Sequence, residues 1–99
     1  IRDVSIPSKF ALYQNHPNPF NPETSIGFQL PNSAHVTLDI YNMLGQKIAT
    51  LIDEKRPAGL QNINWSGKDD TGRLVGSGVY FYHIKAGDFE ATKKLVLLR

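Results

Sequence analysis

Apolar and polar residues alternate along most of the chain, which is the pattern of strands that bury one face. The clearest runs are Thr24–Leu30, His35–Tyr41, Leu60–Trp65, Val79–Lys85 and Phe89–Leu98. Two weaker runs are Phe10–Gln14 and Lys47–Ile52, and the pattern leaves open which side chains of Lys47–Ile52 point inward. Val79–Lys85 carries large side chains on both faces, so we expect a central strand.

Turn-forming segments separate these runs. Asn42–Gly45 and Asp69–Gly72 both begin with Asn or Asp and end with Gly, which suits a turn capped by the first side chain and closed by a glycine with positive φ. The chain shows no helical periodicity. Short strands at this spacing predict an all-β fold, an immunoglobulin-like antiparallel β-sandwich of about seven strands. We expect this domain to span residues 10–99, with Ile1–Lys9 as a linker.

Composition narrows the range of functions. The formal net charge is +2, and the lysines and arginines form no stripe interleaved with aromatic residues, so no nucleic-acid partner is expected. Cysteine is absent, which excludes disulfides and thiolate chemistry. No apolar run is long enough for a membrane helix. The first residues resemble neither a translation start nor an export signal, so we expect a piece of a longer protein.

The sequence offers few candidate catalytic or metal-binding residues. His16, His35 and His83 have no metal-ligand spacing, no serine lies in a nucleophile motif, and we expect neither an enzyme nor a cofactor. Asp69 and Asp70 could offer oxygens to calcium, although turn capping explains them without metal. The aromatic residues that could form a sugar-stacking platform, with a core role as the alternative, are Trp65, Tyr80, Phe81 and Tyr82.

Several stretches carry a family resemblance. In chain order they are "YQNHPNPFNPETSIGFQLP", "VTLDIYNMLGQKIATL", "PAGLQNINWSGKDDTGRLVGSGVYFYHIKAG" and "KKLVLLR". Together they resemble the type A C-terminal sorting domain of the bacterial type IX (Por) secretion system, over residues 10–99. They are also similar to the immunoglobulin-like domain of flagellar hook-capping proteins. The residues of the shared structural motifs are Asn18, Pro19, Phe20, Asn21, Pro22, Trp65, Asp69, Gly72, Tyr80 and Tyr82.

The resemblance implies a non-catalytic signal domain at the end of an exported cargo protein, which passes through the periplasm to the cell surface or the medium. Its partners would be the outer-membrane translocon, a sortase-like peptidase and the covalently linked upstream cargo domain. In the family, the last strand and the terminal residues are the part most needed for recognition. The resemblance assigns this part here to Lys93, Lys94, Leu95, Val96, Leu97, Leu98 and Arg99. Cleavage would fall within Ile1–Lys9. The alternatives are a passive spacer or hook-cap-type scaffold and, further off, a carbohydrate-binding module.

Two segments admit a structural and a recognition role. A final strand that is apolar on both faces and ends in Arg99 suits pairing with a receptor edge, or it simply completes the sandwich. It can also drive weak self-association. In "HPNPFNP", His16–Pro22, the prolines remove hydrogen-bond donors from the leading edge. We expect Phe20 to fill the core beneath, while Asn15, Asn18 and Asn21 fasten the turns.

Overall fold

The structure, a computed structural model, describes residues 7–99. These residues form seven strands and no helix, so none of them belongs to a helix long and apolar enough to cross a membrane. The strands are β1 (Ala11–Leu12), β2 (Thr24–Leu30), β3 (Ala34–Tyr41), β4 (Lys47–Arg56), β5 (Gly59–Trp65), β6 (Gly78–Ala86) and β7 (Phe89–Leu97). Residues 1–6 of the predicted linker lie outside the described part, and the linker stays a prediction.

The strands pair into two antiparallel sheets. One has three strands in the order β1-β2-β5, and the other has four in the order β4-β3-β6-β7. This confirms the predicted immunoglobulin-like sandwich. β6 lies between β3 and β7, as expected for a strand with large side chains on both faces.

The core lies between the sheets and follows the alternation of the sequence. In β2, the inward residues Ile26, Phe28 and Leu30 are fully buried. The side chains of β3 that face them across the core follow the same period of two. Burying each such side chain contributes about 1.5–3 kcal/mol, so the two-residue period fixes which face of each strand points inward.

The weakly alternating run in β4 is explained by two bulges. Leu38 pairs with Ile52 while Asp39 pairs with Thr50, so Leu51 has no directly opposite partner. A second register shift follows between Ile40 and Tyr41. An extra residue on one strand reverses the phase of inward and outward side chains. As a result Ala49 and Ile52 are both buried, three positions apart, and no simple alternation could show it.

The two predicted Asx-Gly turns form as expected. In the β3–β4 turn, Asn42 Oδ1 accepts from the backbone N–H of Leu44 at 2.9 Å, and Gly45 adopts φ 79°. In the β5–β6 connection, Gly72 adopts φ 87° and its N–H donates to the Asp69 carbonyl at 2.9 Å. Glycine closes both turns because other residues are strained at such φ values.

Candidate functional site

The candidate site is the end of the sandwich at which the terminal strand meets the proline-rich segment. Phe20 forms a parallel bridge with Leu97. Its N–H donates to the Val96 carbonyl at 3.0 Å, and its carbonyl accepts from the Leu98 N–H at 3.0 Å. Asn18 Oδ1 accepts from the Val96 N–H at 2.9 Å. The proline-rich segment therefore acts as a short additional strand along the outer edge of β7.

Gln14, just before the proline-rich segment, contacts the same edge of β7 further along the strand. Gln14 Nε2 donates to the Lys94 carbonyl at 2.7 Å. We call Gln14–Phe20 the covering segment. Because it already occupies the backbone groups between Lys94 and Leu98, a receptor strand could not pair there without displacing it. Strand pairing with a receptor, one of the two roles considered for the last strand, would therefore require the covering segment to move away from this edge.

The terminal residues divide into two sets. Leu95 and Leu97 are fully buried, so the reading of the last strand as a core strand is confirmed for them, and Lys93 is half-buried on the same face. The other face presents Lys94, which is exposed, and Val96, which is half-buried. Leu98, just past β7, is 53% exposed. A partner could therefore reach the side chains of Lys94, Val96 and Leu98 without unfolding the domain.

Arg99 is engaged by the loop between β5 and β6. Its Nη2 donates to the Gly67 carbonyl at 2.7 Å and its Nε to the Val75 carbonyl at 2.6 Å. Its backbone N–H donates to Ser77 Oγ at 2.8 Å. The basic end of the chain, considered above for pairing with a receptor, is thus attached to the domain, because Nε and Nη2 of Arg99 hold the loop against the end of β7.

An aromatic cluster supports this end of the sandwich. The ring centroids of Phe20 and Trp65 are 5.6 Å apart, and those of Trp65 and Tyr80 are 5.7 Å apart in an edge-on arrangement. Trp65 is 3% exposed and Phe20 is 1% exposed. Trp65 Nε1 donates to the Lys68 carbonyl at 2.9 Å, and the Tyr80 hydroxyl donates to the Gly76 carbonyl at 2.7 Å. The prediction that Phe20 fills the core is confirmed.

Tyr82 fastens the beginning of the covering segment. Its hydroxyl donates to the Tyr13 carbonyl at 2.7 Å and accepts from the Asn15 N–H at 2.8 Å. Burial raises the pKa of Tyr82 to about 12, against the smaller opposing effect of the Asn15 N–H. The buried Asn15 side chain donates to Thr24 Oγ1 at 3.0 Å. Asn15 and Asn18 thus fasten this segment as predicted, whereas the exposed Asn21 side chain forms no hydrogen bond within residues 7–99.

The Asp69 loop is held by its own hydrogen bonds. Asp69 Oδ1 accepts from the Thr71 hydroxyl at 2.6 Å and from the Arg73 N–H at 3.1 Å. These donors lower the pKa of Asp69. Asp70 Oδ1 accepts from the Thr50 N–H at 2.9 Å, which attaches the loop to β4. The part of the chain that the structure describes contains no group of three or more His, Asp or Glu side chains that could hold a metal ion.

The other proposed ligand sites are dispersed. His35 contacts Asp53 at 2.7 Å, and His83 contacts Glu90 at 3.0 Å on a different strand pair. Of the aromatic residues considered for sugar stacking, Trp65 and Tyr82 are buried. Phe81 lies on the opposite face of β6 because neighbouring strand residues alternate. They therefore form no shared platform for a pyranose ring.

The sequence did not show that Gln14 covers the terminal strand or that Arg99 binds the loop. Both contacts join residues far apart in the chain, 80 positions for Gln14 and Lys94 and 32 for Arg99 and Gly67. The only nearby sequence feature that could have indicated the Arg99 contact is the glycine at position 67. It adopts φ 74°, and an added Cβ would lie 2.5 Å from Arg99 Nη2.

Comparison with known proteins gives a family and a fold. A family model for the FlgD Ig-like domain matches residues 15–89. Dimeric latent PorU from Porphyromonas gingivalis is similar in structure, with a TM-score of 0.71 and 17% identity, covering 88% of this chain and 9% of that one. PorZ, a surface component of the type IX secretion system of the same organism, gives a TM-score of 0.61 and 17% identity over 89% of this chain and 11% of its own. No curated protein matches.

Proposed function

The chain belongs to the FlgD Ig-like domain family, and from that premise we propose that it is a non-catalytic signal domain of the type IX secretion system. It would direct a covalently attached upstream protein from the periplasm through the outer-membrane translocon to the cell surface or the medium. The likeness in fold to PorU and PorZ, each 17% identical, supports the proposal. The present chain spans 9% and 11% of the length of those two chains.

The observation that carries the proposal is the way the terminal strand is presented. The covering segment and the Arg99 contacts fix residues 94–99 in one position, so the outward side chains of Lys94, Val96 and Leu98 form a preorganised surface. A preorganised surface binds a partner with a smaller loss of conformational entropy than a free tail does. Recognition through these side chains needs no unpaired strand edge.

Deleting Leu95–Arg99 would not test this proposal, because Leu95 and Leu97 are core residues and the deletion would unfold the domain. The outward residues allow a cleaner experiment. The 99-residue chain is fused behind an exported fluorescent reporter in a bacterium with a working type IX system, and fluorescence is measured in the periplasm, at the surface and in the medium. The double variant Lys94→Glu with Leu98→Ser is compared with Lys85→Glu with Leu60→Ser, which makes the same chemical changes at exposed sites elsewhere.

We expect the unmodified chain and the Lys85/Leu60 variant to deliver the reporter, and the Lys94/Leu98 variant to leave it in the periplasm. Delivery of the Lys94/Leu98 variant at the normal level would refute recognition through these side chains. Retention of the unmodified fusion in the periplasm would favour the second candidate, a structural module of the hook-cap type, which the family match itself supports.

A further inference from the structure

Four side chains lie in one row across the four-stranded sheet. Tyr41 lies opposite Lys47 in β4 and opposite Phe81 in β6, and Phe81 lies opposite Lys94 in β7. Directly opposed residues of antiparallel strands project from the same face. That face is the outer one, because Ile40, next to Tyr41, is fully buried. We call this set the aromatic row: two aromatic side chains between two lysines.

A groove adjoins the aromatic row at the β3–β4 turn. It has a volume of about 360 Å³ and is lined by residues of the turn together with Tyr41, Phe81, His83 and Thr92. At the tip of the turn, Met43 is 70% exposed and Leu44 is 83% exposed. Exposed apolar residues that are contiguous with an aromatic surface are typical of interaction sites.

The turn does not require these two apolar side chains. Its geometry is set by Asn42, whose Oδ1 accepts from the N–H groups of Leu44 and Gln46 at 2.9 and 3.0 Å, and by Gly45, whose N–H donates to the Asn42 carbonyl at 3.0 Å. Any polar residue could stand at positions 43 and 44. Their apolar character is therefore unexplained by folding, and contact with a partner would explain it.

The charges around the groove select the kind of partner. Lys47 and Lys94 are exposed at the two ends of the aromatic row. Within the described residues, none that forms the row or lines the groove is acidic. The acidic side chains nearby lie outside the row and have contacts of their own. Asp39 accepts from the Thr50 hydroxyl at 2.8 Å, and Asp70 accepts from the Thr50 N–H at 2.9 Å. Asp53 contacts His35 at 2.7 Å, and Glu90 contacts His83 at 3.0 Å. The aromatic row itself is therefore apolar at its centre and carries a lysine at each end.

We propose that this surface binds an extended segment of a partner protein, in which one apolar side chain is flanked by two carboxylates. Neighbouring strands are about 4.8 Å apart, so the lysine backbones at the ends of the row are about 14 Å apart. An extended segment rises about 3.3 Å per residue, which places positions i and i+4 about 13 Å apart with i+2 on the same face. The fitting pattern is acidic-x-apolar-x-acidic, crossing the strands. The inference rests on the proposed function only in assigning the segment to the translocon.

The probe is a capped heptapeptide, Thr-Glu-Thr-Phe-Thr-Glu-Thr, titrated into the ¹⁵N-labelled 99-residue chain at low salt with amide chemical shifts as the readout. We expect saturable shifts at Tyr41, Phe81 and Lys94. The same peptide with glutamine in place of both glutamates should bind about tenfold more weakly, as expected for two exposed ion pairs. Equal binding of the two peptides, or no saturable shift at millimolar peptide, would overturn the proposal.

A charge exchange makes the test specific. The variant Lys47→Glu with Lys94→Glu should lose the acidic peptide and gain the corresponding lysine peptide, whereas Lys55→Glu with Lys85→Glu, on the same face, should keep the original preference. Shifts of the aromatic row that depend on protein concentration without peptide would assign the surface to a second copy. Shifts with phosphatidylglycerol vesicles but not with the peptide would assign it to a membrane. Either of these two results overturns the proposal, and neither depends on the outcome of the secretion assay.

Discussion

Replacing Phe20 with alanine removes the side chain that fixes the covering segment to the sandwich. Phe20 is 1% exposed, and its ring centroid lies 5.6 Å from that of Trp65. Truncating a buried phenylalanine to alanine costs about 3–5 kcal/mol, and a small domain has about 5–15 kcal/mol of total stability. We expect the free energy of unfolding to fall by about 3–4 kcal/mol. The variant should therefore fold in water and unfold at a much lower urea concentration.

Two measurements follow this change. Urea unfolding is monitored through the fluorescence of Trp65, since the chain has 1 tryptophan. Amide hydrogen exchange reports on the Val96 and Leu98 N–H groups, which donate to Asn18 Oδ1 and the Phe20 carbonyl. These two amides should exchange faster than the global loss of stability requires, because the segment that protects them is released first.

The control variant is Phe20→Leu, which keeps an apolar side chain at this position. We expect it to lower the free energy of unfolding by less than about 1.5 kcal/mol. The amide of Ile84, in the central strand β6, serves as the reference for global unfolding. A loss below about 1 kcal/mol for Phe20→Ala, which is the size of an average point mutation, would refute the view that Phe20 anchors the segment. So would exchange at Val96 and Leu98 that simply follows Ile84.

Three further changes test the rest of the site. Burial raises the pKa of Tyr82 from 10.0 to about 12. The neutral hydroxyl therefore stabilises the folded state fully below pH 10, and this contribution is lost as the pH rises through about 12. Urea unfolding across this range should show a steeper fall in the free energy of unfolding for the unmodified chain than for Tyr82→Phe. Because the pKa of Asp69 is lowered, its ionised carboxylate stabilises the folded state at pH values above the ordinary carboxyl pKa of 3.8. Acid unfolding should show that this contribution disappears as the pH falls further, and that it is absent in Asp69→Asn. Gly67→Ala combines φ 74° with a Cβ 2.5 Å from Arg99 Nη2, so it should lower thermal stability by about 1–3 kcal/mol, and by less in an Arg99→Met background. An equal loss in both backgrounds would contradict the Arg99 contact.

The two-residue alternation predicted the sandwich because each sheet buries one face, so local sequence records which side of a strand is inward. It worked for β2, where every second residue is fully buried. It gave no answer for β4, because Leu51, which has no directly opposite partner, reverses the phase and nothing local marks a bulge. Turn chemistry was equally readable, since Asn42 and Asp69 act on residues two to four positions away.

The candidate site was less predictable because its contacts are long-range. The pairing of Asn18 with Val96 spans 78 positions, and sequence periodicity carries no information about which distant segments meet. The terminal strand shows the consequence. Its apolar residues suggested an exposed edge as well as a core strand, and only the packed structure shows that the covering segment occupies that edge between Lys94 and Leu98.

The burial of Leu95 and Leu97 ties the display of the outward side chains to the packing of the last strand. A chain interrupted before Leu95 lacks two core residues and the partner groups for Phe20 and Asn18, so the whole domain loses its shape together with its outward side chains. A partner that binds the outward side chains of β7 would therefore bind only a chain whose last strand is packed in the sandwich.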